Sequence, residues 1–309
     1  MIVAVTGATG FIGPALVSAL ARRGYKLRLL VRRWSPLPSL PGVEAELVLG
    51  DLLDEAALKR LVDGVDAVVH AAGLIKARRP SDFMAVNRDG TALLSAIAPD
   101  SRLVLLSSLA AREPQLSPYA ASKRAAEEVV SGRSGPWLTV RAPAVYGPGD
   151  RETLAYFRAA SHGIALQPLV EGARLSLIHV ADLAEAIATA VDKPPDSSIF
   201  EVDDGRQGGY LYADMARAAA KALGRKIRPI SIPRPVMQAV ANLNRLVQVL
   251  GGPTQILSSD KINEIFHPDW RVHDRRLAAA VGWQPRYGLE VGFGDTVAWY
   301  RRQGWLPNP

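Results

Sequence analysis

At 309 residues, 48% hydrophobic and 22% charged, the chain can bury a large core in one domain plus a smaller lobe, which excludes a disordered or low-complexity protein. It has no cysteine, so disulfides, thiolate metal sites and cysteine nucleophiles are excluded, which suits a reducing, cytoplasmic setting. The net charge of +7 leaves nucleic acid or an anionic surface open as partners. The arginines, however, fall in scattered pairs (Arg22-Arg23, Arg32-Arg33, Arg78-Arg79, Arg301-Arg302), so solvated surface and no nucleic-acid partner are expected for most of them.

Ile2 to Val5 reads as a strand, so the fold is expected to start at Met1 with no signal peptide before it. No run is apolar for long enough to span a membrane. Thr6-Gly7-Ala8-Thr9-Gly10-Phe11-Ile12-Gly13 comes next, then a helical pattern with Leu16, Val17 and Leu20 on one side. Lys26 to Val31 is a predicted strand ending in Arg32-Arg33, and Trp34 to Pro41, with three prolines, is predicted loop. Ala45 to Leu49 is a strand followed by Asp51 and a helix from about Asp54 to Val62. Ala67 to His70 is a buried strand ending in Ala71-Ala72-Gly73, followed by a helix from about Ser81 to Ile97. Arg102 to Leu106 is a strand ending in Ser107-Ser108. A further helix carries Tyr119 and Lys123, and Trp137 to Arg141 is the sixth strand. Continuous apolar strands separated by helices predict an α/β fold, a doubly wound parallel sheet that takes ligands above the carboxyl ends of its strands.

After Pro143 the alternation loosens. Glu152 to His162 and Asp182 to Val191 read as helices, and Leu175 to Val180 as a strand. Residues 1–145 are expected to form the first domain, with returning segments near 175–192, and 146–309 a smaller C-terminal α/β lobe. Pro233 to Leu250 is amphipathic through Val236, Val240, Leu243, Leu246, Val247 and Leu250. It could lie on a membrane or meet a partner; packing within the lobe is the expectation.

The order strand, glycine turn, helix at residues 2–20 carries the first functional signal. Gly7 permits the tight turn, Gly10 lets backbone N–H groups approach a pyrophosphate, and Gly13 lets the helix pack against the strand. The helix N-terminus then offers unpaired N–H groups and its positive dipole end to the anion. The spacing is G-x-x-G-x-x-G, one residue wider at its start than the common dinucleotide fingerprint. The stretch TGATGFIG resembles the cofactor loop of the extended short-chain dehydrogenase/reductase superfamily, the branch with epimerases, dehydratases and hydroxysteroid dehydrogenases. The likeness runs over most of the chain, strongly to about Asp182 and weakly after Pro229. It implies a Rossmann domain and a substrate lobe.

The resemblance assigns cofactor contacts to Gly7, Thr9, Gly10, Phe11, Ile12 and Gly13, and further to Asp51, Leu52, Ala71, Ala72, Gly73, Asn87, Tyr119, Lys123, Pro143 and Val145. Arg32 and Arg33 end the second strand, where an acidic residue would bind the ribose 2′-hydroxyl of NAD and an arginine instead pairs with the 2′-phosphate of NADP. NADP is therefore the expected cofactor, with NAD possible. Asp51 could instead only cap the following helix. His70, at the end of a buried strand, is expected to be structural.

Tyr119-Ala120-Ala121-Ser122-Lys123 is a Y-x-x-x-K motif. On a helix the two residues share a face, so phenol and ammonium can point into one cleft. A free phenol titrates at about 10, and a nearby ammonium favours the phenolate. Catalytic roles are expected for Tyr119 as proton carrier, Lys123 as its partner and Ser108, the second serine of its pair, as the hydrogen-bonding group for the substrate oxygen. The reaction implied is hydride transfer between nicotinamide and a carbonyl or secondary alcohol.

Two departures bear on the substrate. Nucleotide-sugar members often carry an Asn three residues after the arginine ending strand six; here that arginine is Arg141 and the position is Ala144. They also often carry an arginine four residues before the His of I-H-V; here that His is His179 and the position is Leu175, with Arg174 adjacent. A less polar small-molecule carbonyl or alcohol is expected, with a nucleotide-sugar epimerase or dehydratase, or a non-catalytic dinucleotide sensor, as the alternatives. The family resemblance also implies a homodimer through the helices near 81–97 and 117–132. No metal is expected.

Overall fold

The computed structural model describes residues 1–32, 43–193, 197–249 and 259–308, with the side chains of 243–249 and 259 left aside. The predicted loop Trp34 to Pro41 and the candidate contact Arg33 lie outside the described residues. The chain divides into two units. The first comprises Met1–Ala142, Ala181–Val202 and Asp274–Gln284, and the second Pro143–Val180, Asp203–His273 and Pro285–Pro309.

The first unit is built on a seven-stranded sheet: β1 (Ile2–Thr6), β2 (Lys26–Val31), β3 (Ala45–Leu49), β4 (Ala67–His70), β5 (Arg102–Ser108), β6 (Trp137–Ala142) and β7 (Ser198–Glu201). Their order is β7-β6-β5-β4-β1-β2-β3, with every neighbouring pair parallel. The strands are apolar runs because both faces are covered: Val3, Val5, Val68, Leu103, Val104 and Leu138 are all fully buried. The order reverses between β1 and β4, and a doubly wound sheet opens its crevice above that point. The helices on the faces include α1 (Gly13–Arg22), α2 (Glu55–Val62), α3 (Pro80–Phe83), α4 (Gly90–Ile97) and α5 (Pro118–Ser131).

Helix starts follow their caps. Asp54 accepts from the N–H of Ala57 at 2.9 Å and starts α2, so the cap considered for Asp51 belongs to Asp54. Ser117 accepts from the N–H of Ala120 at 3.0 Å and, with Pro118 in the first turn, starts α5. The single helix predicted from Ser81 to Ile97 is interrupted: α3 and α4 are joined by a π-helical turn, Met84–Asp89. That turn holds Asn87, which is 2% exposed and tied down on both its side chain and its carbonyl.

Among the described residues, the second unit contains three small sheets. Strands Ala144–Tyr146 and Leu177–His179 pair in parallel. Tyr210–Leu211, Arg174–Leu175 and Asp269–Trp270 form a three-stranded sheet. Ile164–Pro168 and Arg228–Ile232 form a parallel ribbon. The strand predicted from Leu175 to Val180 is thus two strands, broken at Ser176. The buried hydroxyl of Ser176 donates to Asp203 at 2.9 Å and accepts from the N–H of Val272 at 3.0 Å. The core of this unit is aromatic, with Phe293 edge-on to Phe157 at 4.9 Å and to Tyr146 at 5.2 Å. The helix Arg234–Val249 covers the amphipathic stretch; Val236 and Val240 are 52% and 47% exposed, and the side chains of Leu243, Leu246, Val247 and Leu250 lie outside the described residues.

Candidate active site

The glycine loop joins β1 to α1 at the switch point of the sheet. Gly7 has φ +80°, and a Cβ there would lie 2.7 Å from the backbone of Ala71 and Ala72 at the end of β4. The loop can therefore press against the neighbouring strand end only without a side chain. A Cβ on Gly13 would lie 2.2 Å from the Ala8 carbonyl, so Gly13 closes the turn on itself, where packing against the strand was expected. Thr9 and Gly10 are exposed, and Phe11 and Ile12 are half-buried.

The first turn of α1 has no acidic residue and its N-cap, Ile12, makes no side-chain cap bond. Pro14 has no N–H and the Gly13 N–H donates to the Gly10 carbonyl at 3.2 Å, so what this turn offers an anion is the Ala15 N–H and the positive end of the helix dipole. An uncapped helix N-terminus without an acidic first turn, behind a turn in which Gly7 and Gly10 carry no side chain, fits the pyrophosphate of a dinucleotide. Arg32 is exposed immediately after β2. Asp51 is exposed and accepts from the N–H of Leu53 at 2.8 Å. The Leu52 side chain lies in the core, 6% exposed. Ala71 and Ala72 are half-buried and Gly73 is exposed at the end of β4. Pro143 and Val145 lie in the second unit, Val145 on the strand paired with Ile178.

α5 presents Tyr119 one turn before Lys123. Tyr119 is half-buried, its ring 6.1 Å from that of Phe83 in an edge-on contact. Lys123 is 7% exposed, and its ammonium donates to the Leu106 carbonyl on β5 at 2.8 Å. Burial pulls its pKa down to about 8, opposed by the charge of Glu127 one turn further along. The two serines at the end of β5 differ. Ser107 is buried and donates to Glu127 at 2.5 Å. Ser108 is half-buried and accepts from the N–H of Ala110 at 3.2 Å, a bond that leaves its own proton available.

Asn87 does not reach outward. Its Oδ1 accepts from the N–H of Leu74 at 2.7 Å, and its Nδ2 donates to the Leu74 carbonyl at 3.0 Å and to Ser122 Oγ at 2.9 Å. Ser122 in turn donates to the Tyr119 carbonyl at 2.7 Å. Asn87 therefore ties the loop after β4 to the first turn of α5.

His70 has partners on both ring nitrogens. Thr91 gives its proton to the Asn87 carbonyl at 2.6 Å, so it accepts from His70 Nε2 at 2.9 Å. Nδ1 is then left to accept from Thr6 at 2.6 Å. Burial, and then the Lys123 charge, pull the pKa of His70 down to about 3 and keep it neutral.

Sequence reading missed the buried charges under this site. Arg141 at the end of β6 donates to both oxygens of Glu127, at 2.9 and 2.6 Å, and Glu127 is 1% exposed. Arg112 lies 3.4 Å from Glu201. The available signal was spacing: Glu127 stands four residues after Lys123, on the same face of α5. Ser122, inside the Y-x-x-x-K motif, was missed as well.

The family model described as the NAD dependent epimerase/dehydratase family matches residues 3–202. A ceramide reductase of Caulobacter vibrioides is 42% identical over 309 residues, covering 99% of this chain and 96% of that protein. A 4-hydroxy-2-methyl-3-oxo-4-farnesyl-3,4-dihydroquinoline-1-oxide ketoreductase of Stigmatella aurantiaca is 30% identical, covering 83% of this chain and 88% of that protein. Among solved structures, the UDP-glucose 4-epimerase of Bifidobacterium longum in complex with NAD+ and UDP shares the fold. Its TM-score is 0.74 at 18% identity, with 98% of this chain and 99% of that one covered. With the glycine turn, the serine pair and the Y-x-x-x-K helix on one parallel sheet, the chain belongs to the NAD dependent epimerase/dehydratase family and is an NAD(P)-dependent enzyme of the extended short-chain dehydrogenase/reductase type.

Proposed function

We propose that the protein is an NADP(H)-preferring reductase of a lipophilic ketone, with Tyr119 as the acid that protonates the carbonyl oxygen. The observation that carries this reading is the pairing of Tyr119 and Lys123 on α5 with Ser108, the one serine of its pair not committed to the interior. Arg32 at the end of β2 supports the phosphorylated cofactor. The relatives named for ceramide and for a farnesyl-bearing ketone support a substrate with a long apolar chain. Ala144 and Leu175, where nucleotide-sugar members often carry Asn and Arg, count against a sugar diphosphate.

The glycine turn and the α1 N-terminus would hold the dinucleotide, and Lys123 its nicotinamide ribose. A bound reduced nicotinamide supplies the hydride for the carbonyl carbon. The work of this chain is done at the oxygen. Ser108 Oγ accepts from Ala110 and donates its own proton to that oxygen, which fixes its direction. The Tyr119 hydroxyl releases its proton to the same oxygen as charge builds there. The Lys123 ammonium, held by Leu106, stabilises the phenolate that remains. Asn87 and Ser122 keep the first turn of α5 in register with the loop after β4. Proton transfer of this kind contributes about 10²–10⁴-fold.

The test is a screen at constant NADPH of long-chain α-acylamino ketones and other lipophilic ketones against nucleotide sugars, followed by absorbance and by product analysis. Stoichiometric NADPH consumption with a lipophilic ketone is expected. Epimerised sugar with no net cofactor change would overturn the reading. Separate titrations should show tighter binding of NADPH than of NADH, with the preference lost in Arg32→Ala.

A further inference from the structure

Between Asp214 and Asp260 the chain has no acidic residue and seven basic ones, a formal charge equal to the +7 of the whole protein. Two of the seven are neutralised on the helix Tyr212–Leu223, where Arg217 pairs with Asp214 and Lys221 with Glu290. Lys226, Arg228 and Arg234 are exposed on or beside the parallel ribbon formed by Ile164–Pro168 and Arg228–Ile232. Arg234 donates to Asn263 at 2.6 Å and lies over the Phe266 ring, which anchors it where the helix Arg234–Val249 begins.

The same segment carries an apolar surface. Leu166 stands opposite Ile230 in the ribbon, and Ile164 opposite Arg228, so these four side chains share one face. The alternate residue Ala165 is 2% exposed and points inward. Ile164, Leu166 and Ile230 are 37%, 47% and 40% exposed. Leu169 at the ribbon's end is 59% exposed, and Val236 and Val240, one turn apart on the helix that follows, continue the exposed aliphatic surface along the chain. Glu171, two residues past Leu169, is exposed as well.

We propose that this face docks the protein on the surface of an anionic phospholipid bilayer. Exposed aliphatic side chains among basic ones are the chemistry of an interfacial contact: the apolar groups enter the headgroup boundary while the cations meet lipid phosphates. A second copy of the chain is a poor occupant, because self-association through this face would bring its excess positive charge together. Nucleic acid is a poor occupant as well, because residues 215–259 contain no aromatic side chain on which a base could stack. The inference goes beyond the substrate reading and is tested with neither substrate nor cofactor present.

The experiment is flotation of the full chain with vesicles of phosphatidylcholine alone and of phosphatidylcholine mixed with phosphatidylglycerol, at low and high salt. Flotation is expected only with the anionic vesicles, and high salt should reverse it. The variant K226Q/R228Q should bind roughly 25-fold more weakly, about 5-fold for each basic side chain removed. The variant L166N/I230N keeps the charge and should also lose binding. All four side chains are exposed, and a melting curve equal to that of the parent confirms that each variant is folded.

Equal binding to neutral vesicles, no binding to anionic ones, or unchanged binding by both variants overturns the proposal. So does salt-sensitive DNA binding without vesicle binding, or a dimer that L166N/I230N dissolves in the absence of lipid. Turnover of a soluble ketone reports on the substrate reading alone, so the two can fail separately.

Discussion

Ser107 Oγ donates to Glu127 at 2.5 Å, and the same carboxylate receives two N–H bonds from Arg141. The charge of Glu127 favours the Lys123 ammonium one turn before it, against the burial that lowers it. Glu127→Gln keeps the shape and removes the charge, so the pKa of Lys123 should fall below about 8. The limb of kcat/KM that reports loss of the ammonium should move to lower pH. A uniform drop with no change of profile would assign Glu127 a packing role only. Glu127→Ala should be worse for stability, by about 3 kcal/mol, because it leaves the half-buried Arg141 guanidinium with the longer 3.9 Å contact to Glu201.

Tyr119→Phe removes one oxygen from a half-buried side chain and keeps the ring contact with Phe83. Turnover should fall by about 10²–10⁴-fold while NADPH binding changes little. Retained turnover would remove Tyr119 from the chemistry. Calorimetric titration of the variant with NADPH separates lost binding from lost proton transfer.

Six of the sheet's seven strands were legible in the sequence because they are short apolar runs closed by glycines, serines or charges; Ser198–Glu201, in which only Ile199 and Phe200 are apolar, was not read as one. β2, β3 and β4 run from Lys26, Ala45 and Ala67 to the residues read from sequence. The glycine turn and the spacing of Tyr119 and Lys123 were legible because each rests on local backbone geometry. What sequence could not show is set by contacts between distant segments. The π-turn around Asn87 goes with bonds to Leu74 and Ser122, from residues 13 behind and 35 ahead. The break at Ser176 reflects Asp203 and Val272. Periodicity also showed that the helix Arg234–Val249 has an apolar side, but not whether anything covers it.

Gly7→Ala should disable the cofactor site before it unfolds the protein. The added Cβ meets the carbonyl carbon and nitrogen of Ala71 and Ala72 at 2.7 Å, and φ +80° is strained for alanine. Separation of the β1 and β4 ends should weaken NADPH binding by at least about tenfold and cost about 1–3 kcal/mol. Isothermal titration and thermal melting of the same sample give both numbers. A loss of stability with unchanged affinity would show that the turn does not hold the dinucleotide.

The two buried bases make stability rise with pH in separate windows. His70 titrates near 3 in the fold against about 6.5 when unfolded, so the unfolded chain takes up the proton first as pH falls. Its contribution is complete above about 6.5 and is lost toward 3. Lys123 titrates near 8 in the fold against about 10.5 when unfolded. The unfolded chain therefore holds more protons between these values, and stability increases as pH rises through them, by about 2–3 kcal/mol up to pH of about 10. Near and above that, half-buried Tyr25, Tyr156 and Tyr212, whose pKa values are pushed up to about 12, oppose and then reverse the trend. Urea denaturation from about pH 8 to about pH 10 should show the stability of the parent rising relative to that of Lys123→Met, which lacks the rise and declines as the tyrosines begin to ionise in the unfolded chain. An equal rise in the variant would mean that the ammonium is not what burial penalises.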